Sequence, residues 1–183
     1  YLKWDHNRDL AHAAGPDGRA RYRRQVEAVY RLLDRLIDAH PHVEIEACAG
    51  GGGRIDAGII RHTHRFWTSD NIDAVSRVSI QRGFLQFMPP ELMGSHVGAS
   101  PAHATGRSQS MDFRAAVALP GHFGVELDVR KLADVDRTKL ADWIAVYKAQ
   151  RDRLHRGTFW QGVGDDGLLW QAHGDADGVL LYV

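Results

Sequence analysis

A chain of 183 residues, 44% hydrophobic and 25% charged, has the make-up of a globular domain able to bury a core. Lys plus Arg and Asp plus Glu number 23 each, so charge points to neither nucleic acid nor an anionic membrane as partner. No apolar run approaches the ~20 residues of a membrane span. The single Cys48 excludes an internal disulfide framework, and the expected location is the cytoplasm.

The run Tyr1-Leu2-Lys3-Trp4 reads as a short strand that delivers Asp5 at its C-terminal end. Lys3 and Asn7, two residues to either side, project from the same face of an extended backbone as Asp5. Taken alone, such a motif is more often a strand end with a helix cap. Residues 13–18 form a Gly/Pro loop. From Arg19 to Ala39, Val26, Val29, Tyr30, Leu33, Leu36 and Ile37 recur at helical spacing, and His40-Pro41 stops the helix. Val43 to Cys48 is the next strand, running into Gly50-Gly51-Gly52-Gly53. His64 to Trp67 is a short strand, after which Ser69 or Asp70 is placed to cap a helix over 72–83. Phe84 to Met88 reads as a strand ended by Pro89-Pro90, and Leu92 to Gly98 as its extension or a loop. Residues 100–110 are loop, Met111 to Leu119 helix, His122 to Leu127 strand, and Asp134 to His155 a long helix with Leu140, Trp143, Ile144 and Tyr147 on one stripe. Beyond Gly157, three strand-like runs (Thr158 to Gln161, Leu168 to Gln171, Val179 to Val183) are separated by Gly/Asp turns, which suggests antiparallel hairpins.

About five strands alternating with about four helices fit either half of a (β/α)8 barrel or a doubly wound sheet. Both put functional groups at the C-terminal ends of strands. Asp5, Cys48 and Asp70 all fall at such ends, which lifts Asp5 above the capping role. The chain opens within one strand-like run and closes within another, so it reads as a fragment.

Two carboxylates from different strand ends are what glycoside cleavage needs: one ionised to attack the anomeric carbon, one protonated to release the leaving oxygen. Lys3 and Asn7 suit Asp5 to the first role. Apolar Phe66 and Trp67 suit Asp70 to the second. The glycine run lacks both GxxxxGK[ST] and GxGxxG, so close approach to a sugar or other uncharged ligand is favoured slightly over nucleotide binding. Cys48 reads as a packing or hydrogen-bonding group rather than a nucleophile. His62-x-His64 has half the spacing of a metal site, but the 11 histidines are scattered and ordinary hydrogen-bonded roles are favoured. No cofactor and no metal are expected. His96 and His103 could line a pocket.

In order, these motifs resemble the α-galactosidases of glycoside hydrolase family 36. The matching pieces are the stretch from Tyr1 to Arg8, Glu46 to Asp56, Phe66 to Asp73, Met93 to Gly98, His103 to Arg107, and Gly121 to Asp128 as a last barrel strand. The resemblance implies residues 1–156 as the C-terminal half of a (β/α)8 catalytic barrel and 157–183 as the truncated start of a C-terminal antiparallel β-domain. It implies double displacement with retention on terminal α-D-galactosides of the melibiose and raffinose type. Asp5 would be the nucleophile and Asp70 the acid/base. Lys3, Asn7, Cys48, Gly51 and Trp67 would meet the sugar. The substrate partner is an α-galactoside oligosaccharide, and the full-length protein is expected to be a homo-oligomer.

His6, Ala49 and the run from His62 to Phe66 depart from common family forms, which leaves the carboxylates in place but blurs the substrate. With the first half of the barrel absent, the segment alone is expected to be inactive and poorly soluble. A transferase of the same type shares the covalent intermediate. A non-catalytic sugar-binding relative and a nucleotide-binding α/β domain are the readings from other classes.

Overall fold

The computed structural model describes residues 1–5, 7 and 14–183. His6 and Arg8 of the opening motif lie outside the described residues. The chain forms two compact units, residues 1–67 and 68–183.

The first unit holds β1 (Leu2–Asp5), α1 (Tyr22–Ala39), β2 (Ile45–Cys48) and β3 (Arg65–Trp67). The helix starts three residues later than its apolar pattern suggests, because the preceding chain is spent in a turn. Gly15 N–H donates to the Arg19 carbonyl, and the Asp17 carboxylate accepts from Arg19 N–H and from the Arg21 guanidinium. Gly18 sits there at φ 72°, the left-handed region that favours glycine. The helix ends where His40 N–H closes on the Leu36 carbonyl, just before Pro41. Its most deeply buried side chain is Leu33.

The three strands run parallel. Lys3 pairs with Glu46 and Asp5 with Cys48; Glu46 pairs in turn with Arg65, and Ala47 with Phe66. Residues in register on parallel strands share a face. One face therefore carries the rows Lys3–Glu46–Arg65 and Asp5–Cys48–Trp67. The other carries Ile45, Ala47 and Phe66, all buried and apolar.

The second unit holds α2 (Ala74–Phe84), β4 (Met93–Gly98), α3 (Met111–Ala118), β5 (His122–Glu126) and α4 (Asp134–Arg156). The sheet β6 (Thr158–Val163), β7 (Leu169–Asp175) and β8 (Gly178–Tyr182) follows. Strands β4 and β5 pair in parallel, and β6–β7–β8 form an antiparallel sheet. Val97, Met111, Ala115, Ala118 and Leu140 make a core, flanked by Phe123, Trp143 and Ile144. Asp134 and Asp136 in the first turn of α4, and Arg153, His155 and Arg156 in its last, complement the helix dipole. The antiparallel sheet is tied back by side chains. Arg82 of α2 donates to the Gly162 and Trp170 carbonyls, at 3.1 and 3.2 Å, and Arg153 of α4 pairs with Asp175 at 3.0 Å. Among the described residues no helix is long and apolar enough to cross a membrane.

Two expectations fail here. Phe84 to Met88 is not a strand: Phe84 ends α2, and Phe87 and Met88 turn back to donate to the Phe84 carbonyl, leaving Phe87 83% exposed. The strand is Met93–Gly98, beyond the two prolines. The residue that caps α2 is Asp73, whose carboxylate accepts from Ser76 N–H at 3.1 Å, rather than Ser69 or Asp70. Asp70 is thereby left in the irregular segment that leads into the helix.

Candidate active site

Asp5 is the last residue of β1 and is exposed. Its register partner Cys48 ends β2 and is completely buried. Burial at that level fits packing and rules against a solvent-accessible nucleophilic thiol. Lys3 lies one pleat below Asp5, and its ammonium sits over the Trp67 ring, 4.6 Å from the centroid. Such a contact is worth about 0.5–2 kcal/mol, depending on desolvation, and it aims the cation along the same face as Asp5. Trp67 is itself 1% exposed, so it is a fixed platform.

Beneath these groups lies the buried pair Glu46–Arg65, Oε2 to Nε at 3.3 Å, and Arg65 also binds Glu44 at 2.7 Å. Glu46 is 1% exposed, and its other oxygen, Oε1, has no hydrogen-bond partner among the described residues. The sequence reading missed this pair. The alternation of Val43-Glu44-Ile45-Glu46 against Arg65 was its only visible signal.

The glycine run is a backbone cradle. Ala49 N–H donates to the Gly51 carbonyl, Gly53 N–H to the Ala49 carbonyl, and Ile55 N–H to the Gly52 carbonyl. Gly50 and Gly51 take φ 56° and 77°, where a side chain is strained. The Asn7 Oδ1 accepts from Gly50 N–H at 2.5 Å, tying the chain after Asp5 to this cradle. Gly51 is buried, whereas Gly50 is exposed and is the glycine that bonds Asn7. The cradle is anchored further on by Asp56, whose carboxylate accepts from Gly58 N–H, Ile59 N–H and the Tyr30 hydroxyl of α1. That carboxylate, together with burial, raises the Tyr30 pKa, burial being the larger cause.

The histidines of His62-x-His64 are spent in structure. His62 Nδ1 meets Asp34 Oδ1 at 2.5 Å and its ring stacks on Tyr30, while His64 Nδ1 accepts from Ile45 N–H at 2.9 Å. Among the described residues no three potential ligands gather as a metal site. His96 is held by Glu126 at 3.0 Å, and His103 lies exposed in the loop after β4.

In the second unit Asp70 is flanked by a dense network. The buried Arg77 of α2 donates to the Thr68 hydroxyl and to the Ser69 carbonyl, the latter at 2.8 Å. Asn71 N–H donates to Ser69 Oγ and Asp73 N–H to Asn71 Oδ1, both at 3.1 Å. Asp73 is 1% exposed and pairs with Arg107 at 2.6 Å. Burial pushes the Asp73 pKa up, but hydrogen bonds from Ser76, the charge of Arg107 and a hydrogen bond from Thr105 outweigh it, so the net direction is down. Its charge is therefore present across neutral pH and lost only as pH falls through a value below the ordinary carboxylate range.

A family model described as Melibiase matches residues 1–157. An α-galactosidase of Escherichia coli is 47% identical over 161 residues, covering 88% of this chain and 23% of that protein. The crystal structure of the family 36 α-galactosidase AgaA from Geobacillus stearothermophilus aligns over 96% of this chain and 25% of its own, with TM-score 0.88 and 37% identity. A variant of AgaA in complex with raffinose aligns with TM-score 0.87 at the same identity and coverage. The chain thus spans about a quarter of the length of the relatives it matches. Its fold class is theirs: α/β, the second half of a (β/α)8 barrel followed by the first strands of an antiparallel β-domain.

Proposed function

The chain belongs to the melibiase family, and from that premise we propose that the complete protein is a retaining α-galactosidase acting on oligosaccharides of the melibiose and raffinose type. Residues 1–156 are the C-terminal half of its catalytic barrel, and 157–183 open its C-terminal β-domain. The observation that carries the reading is the register on one face of the first sheet: Asp5 beside Cys48, Lys3 over Trp67, and the glycine cradle tied to Asn7. Support comes from the raffinose complex of AgaA, a 37% identical enzyme.

In this reading the Asp5 carboxylate attacks the anomeric carbon, and the bond to the leaving oxygen breaks as Asp70 donates its proton to that oxygen. Water, deprotonated by Asp70, then cleaves the galactosyl ester, and the proton returns to Asp70. Lys3 keeps a positive charge within reach of the sugar hydroxyls near Asp5. Asn7 and the glycine cradle complete the wall against the ring, with the buried Cys48, Gly51 and Trp67 backing it. The protein acts in the cytoplasm as a homo-oligomer and needs no cofactor.

The test is covalent capture in the complete protein. A slowly turned-over fluorinated α-galactosyl fluoride should add one sugar to the peptide bearing Asp5, read by mass spectrometry. Label on a different residue would remove Asp5 from the nucleophile role.

A further inference from the structure

We infer that Arg107 is a positioning residue for Asp70, acting through Asp73; the inference rests on the acid/base role proposed above. Asp70 stands in a segment without regular structure, so no strand ladder fixes its backbone. A proton donor must nevertheless be held to within a fraction of an ångström of its acceptor. Side chains do this work. Arg77 secures the near side of the segment through Thr68 and Ser69. Asp73 secures the far side, three residues beyond Asp70.

Asp73 is gripped from two directions. From α2, Ser76 donates its N–H at 3.1 Å and its hydroxyl at 2.8 Å. From the loop after β4, Arg107 Nη2 reaches Asp73 Oδ2 at 2.6 Å and Ser76 Oγ at 2.9 Å, and the Thr105 hydroxyl donates to the same carboxylate. The loop is braced for this contact. Ala102 N–H donates to the Arg107 carbonyl and Gly106 N–H to the Ala102 carbonyl, both at 2.8 Å, with Gly106 at φ 71°. Ser76 already satisfies the helix cap, so capping alone does not call for a cation delivered from another loop. What the cation adds is a fixed distance between the loop after β4 and the segment that carries Asp70.

A merely structural pair would lower all activities together. A positioning pair acts on proton delivery, and proton delivery matters only when the leaving group is basic. A sugar leaving group needs the proton from Asp70 as its bond to the anomeric carbon breaks, whereas a dinitrophenolate leaves without it. The experiment compares kcat/KM for melibiose and for a dinitrophenyl α-galactoside in the complete protein carrying Arg107→Met, Arg107→Lys or Asp73→Asn. Arg107→Met should lose about tenfold on melibiose and less than about twofold on the aryl substrate, since acid catalysis supplies about 10²–10⁴ and is only misaligned here. Arg107→Lys should recover part of the loss. Asp73→Asn keeps an oxygen for Ser76 and should reproduce the selective loss, which guards against a Met variant that folds poorly. Equal losses on both substrates, or none on either, would overturn the inference. A wild-type protein that cleaves neither substrate would instead overturn the α-galactosidase reading beneath it.

Discussion

The two carboxylates are held by different means. Asp5 ends a strand whose whole length is paired in register with β2, so backbone hydrogen bonds set its place. Asp70 stands in an irregular segment whose place is set by side chains, Arg77, Asp73 and Arg107. Strand-end groups are therefore hard to move without breaking the fold. Loop-held groups can be mistuned from a distance while the fold survives, which suits the acid/base role proposed for Asp70.

The strongest way to break this contrast is at Asp5 itself. Asp5→Asn should lower turnover about a thousandfold or more while galactose still binds, as judged by a thermal shift. Retained turnover would remove the distinction between the two carboxylates.

A second prediction concerns a buried side chain of the antiparallel sheet. His173 on β7 is fully buried, its Nδ1 bonded to the Leu154 carbonyl at 3.0 Å, and burial lowers its pKa to about 4. The folded state thus binds this proton less readily than the unfolded chain. The stability it contributes is complete above the unfolded value of about 6.5 and is lost as pH falls from there to about 4, by about 3 kcal/mol. Thermal unfolding of the complete protein should show that slope, flattened in His173→Gln. An unchanged slope in the variant would assign the pH dependence elsewhere.

Smaller effects sharpen the description of the strand-held side. Lys3→Met removes the cation over Trp67 and should cost about tenfold in kcat/KM on any α-galactoside, with no preference between leaving groups. A loss confined to sugar leaving groups would place Lys3 with the acid/base machinery instead. Gly50→Ala meets open space but a left-handed backbone, so it should cost about 1 kcal/mol of stability, measured by denaturant titration. A neutral result would show that the cradle relaxes freely.

The parts of this arrangement legible in the sequence are those written locally. Helical spacing located α1 and α4, and the alternation and glycine of 43–53 located β2 and its cradle. Asp5 and Cys48 followed as strand ends. The segment 84–88 misled because its apolar residues finish a helix and then turn, and no local signal separates that from a short strand before two prolines. The cap of α2 was misplaced because Ser69, Asp70 and Asp73 are all good caps, and only the bond to Ser76 decides among them. The Asp73–Arg107 and Glu46–Arg65 pairs join residues 34 and 19 apart, and nothing in either local pattern announces the partner. The histidines of His62-x-His64 illustrate the converse: a spacing that suggested ligands serves Asp34, Tyr30 and a backbone amide.

The central claim is that Asp5 forms a bond to the sugar and Asp70 serves both halves of the reaction. Its most direct test is the anomeric configuration of the first galactose released by the complete protein, followed by proton NMR before mutarotation. Double displacement predicts that α-galactose appears first and the β form grows in later. β-Galactose as the first product would mean a single displacement by water and would contradict the account.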